Sequence, residues 1–169
     1  AYPRGYETRQ RIQGFTTDAL DSVKNFFRKK DDSVNIDGLH PDTRNRFYSM
    51  LQEYRALGGK RVIQVNSAKR SHQEQSILFA KNPKKAARPG TSDHELGRAI
   101  DINSSDASEL ARMGLLDKYG FTRPVPGEPW HLQQKGVRMI TDRGWKADDM
   151  GASSPVPPIT NIVDNARPS

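Results

Sequence analysis

Between Pro41 and Asn66 the apolar residues change period, and this change constrains the fold more than any other feature. Phe47, Met50, Leu51, Tyr54 and Leu57 recur at three- and four-residue steps, the stripe of one α-helix. Pro41 suits a first helical turn, after His40, and Gly58–Gly59 ends the helix. Directly beyond, Arg61–Asn66 (RVIQVN) alternates like a half-buried strand. A helix with one stripe to bury beside a strand with one face to bury demands a mixed, layered core.

The rest of the chain continues in this manner. Ser71-His72-Gln73-Glu74 has the form of a capping box, opening a helix that carries Ile77, Leu78 and Phe79. Ala99–Ile102 (AIDI) reads as a buried strand, and Ser105 caps a helix running through Met113. A loop rich in Pro and Gly, Arg123–Pro129, leads to a strand over Trp130–Gln133 (WHLQ). The loops are too short and the strands too scattered for a doubly wound parallel sheet, so the expectation is one α+β domain over residues 34–146. Residues 1–33 form a charged N-terminal extension with one helix over Thr17–Lys30, where Leu20, Val23, Phe26 and Phe27 fall at helical spacing. Residues 147–169 read as a linker-like tail, and there is no internal repeat.

Composition narrows the chemistry. The 169 residues include no cysteine, which excludes a disulfide framework, a thiol nucleophile and cysteine-bound zinc. Any metal has to be held by histidine and carboxylate. Hydrophobic residues make up 34% and mean hydropathy is −0.83, with no apolar run near the ~20 residues that cross a bilayer. The net charge of +7 favours an anionic partner: nucleic acid, a lipid surface or a bacterial wall. The chain lacks both aromatics interleaved in a basic strand pair and a one-sided basic helix stripe, so no nucleic-acid partner is expected. The basic loop Asn82–Gly90, with Lys84, Lys85 and Arg88, reads as a solvated face.

Of the four histidines, His40 and His72 stand at helix starts, whereas His94 and His131 keep unusual company. One lies in Ser92-Asp93-His94-Glu95-Leu96-Gly97-Arg98-Ala99-Ile100-Asp101, the other in Glu128-Pro129-Trp130-His131. A catalytic zinc takes three protein ligands and keeps a fourth position open. His94, Asp101 and His131 would make a set of two imidazoles and a carboxylate. On a straight strand, residues seven apart point to opposite faces, so a turn at Gly97 has to bring His94 and Asp101 together. A hydrolase of this kind also needs a carboxylate to move the attacking water's proton, and Glu128, three residues before His131, is the candidate. Asp93 and Glu95 read as facing either solvent or the layer behind the ligands, where they could orient His94.

The pattern Ser-x-His-x-x-Gly-x-Ala-x-Asp, followed by Glu-x-Trp-His, resembles the zinc D-alanyl-D-alanine carboxypeptidases and dipeptidases and the L-alanyl-D-glutamate endopeptidases of phage endolysins. The likeness spans about residues 36–134 and includes NSAKRSHQEQ, where Arg70 is followed five residues later by Gln75, and ARPGTSDHELGRAIDI. It implies a small antiparallel sheet flanked by helices, as in Hedgehog/DD-peptidase-like domains. It implies zinc on His94, Asp101 and His131, with Glu128 as catalytic base and acid. Arg70 would bind a substrate carboxylate or the polarised carbonyl, Ser92 and Gln75 the substrate backbone, and Trp130 would wall the cleft. Ala68-Lys69 stands where such enzymes often have Gly-Tyr, a departure beside Arg70.

The resulting expectation is a zinc peptidase of the peptidoglycan stem peptide. The compact, basic, leaderless domain favours the L-alanyl-D-glutamate bond and phage cell-wall lysis. Such a chain would be monomeric, or one domain of a larger phage protein, virion-associated or released from the host cytoplasm. The alternatives are a D-alanyl-D-alanine carboxypeptidase and a zinc-containing wall-binding module without activity.

Overall fold

The structure, a computed structural model, describes residues 17–136. The expected N-terminal segment before Thr17 and the linker-like tail lie outside the described residues. Helix α1 (Thr17–Val23) and strand β1 (Phe27–Lys29) come first, then α2 (Pro41–Ala56), β2 (Ile63–Ser67) and α3 (His72–Lys81). Strand β3 (Ala99–Ile102), α4 (Ser104–Arg112), α5 (Leu115–Lys118), β4 (Phe121–Thr122) and β5 (His131–Gln134) complete the fold. The strands form one sheet in the order β1-β2-β3-β5-β4. Among the described residues no helix is long and apolar enough to cross a membrane.

The helical stripe of α2 packs as its spacing predicts: Phe47, Met50, Leu51 and Tyr54 are fully buried. They meet Ile63 and Val65 of β2, Ile100 and Ile102 of β3 and Leu132 of β5 in one core. Burying such side chains contributes about 1.5–3 kcal/mol each. Leu57, by contrast, is the C-cap of α2 and 60% exposed, because the helix stops one residue before it. The capping box of α3 forms in full: Ser71 Oγ accepts from Glu74 N, and the Glu74 carboxylate accepts from Ser71 N. That pairing satisfies donors at the helix start that would otherwise lack partners.

Three expectations need correction. The first helix stops at Val23 instead of continuing to Lys30, and Phe27–Lys29 becomes a strand. The edge of β2 captures this segment through Ile63 N to Phe26 O at 3.0 Å and Lys30 N to Val65 O at 2.8 Å, while Phe27 stacks on Tyr48. As a result the sheet is mixed: β1 runs parallel to β2 and the remaining pairs are antiparallel. Helix α4 begins at Ser104 with Asn103 at its N-cap and ends at Arg112. Asn103 makes no side-chain cap because its Oδ1 accepts from Asn66 Nδ2 at 3.0 Å.

One face of the sheet carries this core. On the other face β2, β3 and β5 place Ser67, Asp101 and His131 side by side, since Ser67 pairs with Asp101 and Asp101 with His131. Alternation along the strands turns Ile100, Ile102 and Leu132 to the core and leaves Asp101 and His131 for the opposite face. The candidate site is built there.

Candidate metal centre and cleft

Asp101 and His131 meet because they are direct cross-strand partners, whose Cβ atoms lie about 5 Å apart in any antiparallel pair. His131 Nδ1 sits 3.0 Å from Asp101 Oδ1. His94 arrives from a tight turn before β3, with its Nε2 3.3 Å from the same Oδ1. One ligand atom from each of the three residues fits within 4.8 Å, and among the described residues this is the metal-competent cluster. The His94 ring is fixed from behind, since its Nδ1 lies 2.8 Å from the Ala68 carbonyl. Nδ1 therefore carries the proton and donates it, which leaves the Nε2 lone pair for a metal. Donor types, spacing and this tautomer all suit zinc.

The turn that delivers His94 depends on Gly97, which has φ +70. A Cβ there would lie 2.7 Å from the His40 backbone nitrogen, which itself donates to Gly97 O at 3.0 Å. Gly97→Ala is therefore expected to lose about 1–3 kcal/mol in urea unfolding. It should also weaken zinc binding, because the turn has to shift to make room.

A buried polar clamp backs this turn. Arg98 donates to Gln134 Oε1 at 2.7 Å and lies 3.5 Å from Asp42 Oδ2, which also accepts from Gln134 Nε2 at 2.6 Å. Thr43 Oγ1 also bonds Gln134. The clamp ties the start of α2 to β5 and to the segment bearing His94. His40, as expected, caps α2 by accepting from Asp42 N.

The three residues line a cleft of about 370 Å³ that also contains Arg70, Gln75, Ser92, Glu128 and Trp130. Glu128 is held by a tight backbone turn, Glu128 N to Val125 O at 3.2 Å and His131 N to Glu128 O at 3.1 Å. Its charge acts on His131. Arg70 has its fork set by two neighbours, Gln75 Oε1 and Ser67 Oγ, each at 2.7 Å, and Nη2 is 4.0 Å from Asp101 Oδ2. The other end of Gln75 donates to Ala87 O at 2.7 Å, so both of its polar ends serve to brace Arg70. Ser92 Oγ accepts from His94 N at 3.3 Å. Trp130 is 38% exposed at the cleft wall.

Of the two positions open to Glu95 and Asp93, the structure shows the inner one. Glu95 accepts from Gly90 N at 2.7 Å and pairs with His72 at 3.0 Å, tying the loop before His94 to α3. Asp93 is buried beneath the cleft, and its Oδ1 has no partner. The Ala68-Lys69 departure is absorbed: Ala68 acts through its backbone carbonyl, and Lys69 Nζ bonds the Glu95 carbonyl. Sequence reasoning missed Ser67, the Ala68 carbonyl and Gln133. Gln133 was within reach, because a residue two past His131 on a strand shares its face.

The charged groups of the cluster act on one another. Burial opposes the Asp101 charge, but the hydrogen bond from His131 and the adjoining His94 imidazole outweigh it and hold the carboxyl below the usual range. Burial disfavours charge on His131 as well, yet its bond to Asp101, with the nearby Asp101, Glu128 and Asp93 charges, raises it. Burial pushes the Asp93 carboxyl up, against the pull of His131 and His94.

These shifts set a pH window. A raised histidine stabilises the fold below its unfolded value, and this contribution disappears as pH rises through the folded value. A depressed carboxylate stabilises above its unfolded value, and its contribution disappears as pH falls through the folded one. In metal-free protein the pair therefore contributes most between roughly pH 4 and 6.5. In chelator, the gap in Tm between wild type and His131→Gln should be widest there and close as pH rises through the raised His131 value. Zinc affinity should follow the opposite course, rising with pH as His131 loses its proton.

Comparison with known proteins bears on the family of the chain. The family model described as VanY, D-alanyl-D-alanine carboxypeptidase, matches residues 37–123, just over half of the chain. That span includes Arg70, Gln75, Ser92, His94 and Asp101 and ends before Glu128 and His131. A D-alanyl-D-alanine carboxypeptidase of Enterococcus faecalis is 27% identical over 128 residues, 65% of this chain and 46% of that protein. The chain thus spans about half the length of this curated relative. Among solved structures, the Serratia marcescens L-Ala D-Glu endopeptidase ChiX is 16% identical with a TM-score of 0.46, covering 69% of this chain and 95% of its own. The LdcB LD-carboxypeptidase is 25% identical with a TM-score of 0.42, covering 59% and 67%. On the extent of the family match, the chain belongs to the VanY D-alanyl-D-alanine carboxypeptidase family.

Proposed function

We propose that the chain is a zinc-dependent peptidoglycan peptidase that hydrolyses a stem-peptide bond beside a D-amino acid. The observation that carries this reading is the convergence of two imidazoles and a carboxylate within 4.8 Å, in a cleft shared with Glu128 and Arg70. All of these residues come from one chain, so a monomer suffices.

His94 Nε2, Asp101 and His131 Nδ1 would hold the metal. Zinc, when bound, polarises the scissile carbonyl and makes hydroxide available near neutral pH. Glu128 takes the proton of the attacking water and returns it to the leaving amine. Arg70, with its fork already fixed by Gln75 and Ser67, grips an oxyanion or carboxylate in a planar geometry that lysine could not offer. Trp130 walls the cleft, and Ser92 lines it beside His94.

Two bonds fit this chemistry. In both D-alanyl-D-alanine and L-alanyl-D-glutamate, the leaving amine sits on a D-configured carbon bearing a free carboxylate. The same arginine would serve either one. The family description and the Enterococcus relative favour the carboxypeptidase. The net charge of +7 suits an anionic wall, and with it phage lysis through the endopeptidase. Mass spectrometry of defined muropeptides incubated with the zinc-loaded protein separates the two. Released D-alanine establishes the carboxypeptidase, and a new free amine on D-glutamate establishes the endopeptidase. Zinc binding with neither product would reject the peptidase and leave a wall-binding module.

A further inference from the structure

We infer that Gln133 is a specificity-determining residue whose side-chain carbonyl accepts a main-chain N–H of the bound stem peptide. The inference rests on the peptidase reading for the identity of the ligand. Gln133 lines the same cleft as the metal cluster and is only 5% exposed, yet its Oε1 is buried with no hydrogen-bond partner. Nearby glutamines differ. Gln75 is engaged at both ends by Arg70 and Ala87, and Gln134 by Arg98, Thr43 and Asp42. A buried acceptor without a donor is unfavourable in the free protein, and a ligand that brings the donor relieves it.

The register shows what flanks this side chain. Gln133 pairs with Ala99 on one side and Thr122 on the other. Ala99, next to Asp101 on the site face, has a methyl where a longer residue could reach the amide. Gln133 and His131 are two residues apart on β5, about 7 Å along the strand. That spacing matches two residues of an extended peptide, so the amide addresses a group beyond the scissile bond. A second unpartnered acceptor, Asp93 Oδ1, is buried in the same cleft. Two unpartnered acceptors on residues that line one cleft call for donors. A carboxylate or ester oxygen at Gln133 Oε1 would oppose lone pair with lone pair, so this position selects an amide.

The test uses the zinc-loaded full chain carrying Glu128→Gln to block turnover, with stem peptide titrated by calorimetry. The panel contains the parent peptide and analogues in which one main-chain N–H at a time is replaced by ester oxygen. One analogue is expected to bind about 10-fold more weakly than the parent. Gln133→Met should weaken the parent by that same factor and leave that analogue's affinity unchanged. Gln133→Glu keeps the acceptor and should keep the preference for amide over ester. Should Gln133→Met melt early, Gln133→Glu decides alone. Equal weakening of every peptide by Gln133→Met, or no weakening, would overturn the inference, as would loss of the preference in Gln133→Glu. Cleavage by the chain with Glu128 intact is scored separately: tight binding without hydrolysis rejects the peptidase and leaves the Gln133 result standing. Failure of any peptide to bind rejects both.

Discussion

Glu128→Gln is expected to bind zinc as tightly as the wild type and to lose about 10²–10⁴-fold in kcat. The substitution preserves shape and hydrogen-bonding capacity while removing the ability to take a proton. The backbone turn around Val125–His131 that positions residue 128 uses main-chain atoms alone, so the fold and the metal ligands should be undisturbed. Steady-state kinetics on a muropeptide, with zinc content measured in parallel, checks both halves of the statement. The cleft holds one rival carboxylate outside the ligand set, Asp93, whose pKa burial raises. If Glu128→Gln keeps near-wild-type turnover while Asp93→Asn abolishes it, the proton is carried by Asp93 and the role given to Glu128 is wrong.

Asp101→Asn is expected to reduce zinc affinity by more than about 100-fold, since outer-shell partners alone are worth 10–100-fold. Asp101 is the hub of the site: Oδ1 lies 3.0 Å from His131 and 3.3 Å from His94, and Oδ2 lies 4.0 Å from Arg70. Asparagine keeps the volume but removes the anion, and its NH₂ would face a cation or a proton-bearing imidazole. The raised His131 pKa should fall back at the same time, because its bond to Asp101 is the largest influence raising it. Competition with a fluorescent chelator gives the affinity, and NMR titration of the histidines gives the second effect. Unchanged zinc affinity in Asp101→Asn would place the metal elsewhere.

The candidate site was more legible in the sequence than the fold that carries it. His94, Asp101, Glu128 and His131 stand in two short segments whose residue types have a chemical reason to co-occur, and Gly97 marked the turn between the first two. What joins the two segments is strand register, the pairing of Asp101 with His131, and register is a long-range property that local patterns do not reveal. The same limit hid the clamp of Asp42, Arg98 and Gln134, in which partners 92 positions apart in the chain meet. Strand β1 was misread because Leu20, Val23, Phe26 and Phe27 satisfy a helical period. The available edge of β2 overrides that local preference after Val23. Helix α2 was legible because its stripe is long and its ends are marked by Pro41 and Gly58–Gly59.

The most direct measurement is the digestion of purified peptidoglycan by the protein as purified, after chelation, and after zinc is restored. Soluble products and new termini are counted by mass spectrometry. The account predicts cleavage that chelator abolishes, that zinc restores, and that neither Asp101→Asn nor Glu128→Gln supports. Cleavage that survives complete metal removal, or that persists in Asp101→Asn at low zinc, would contradict it.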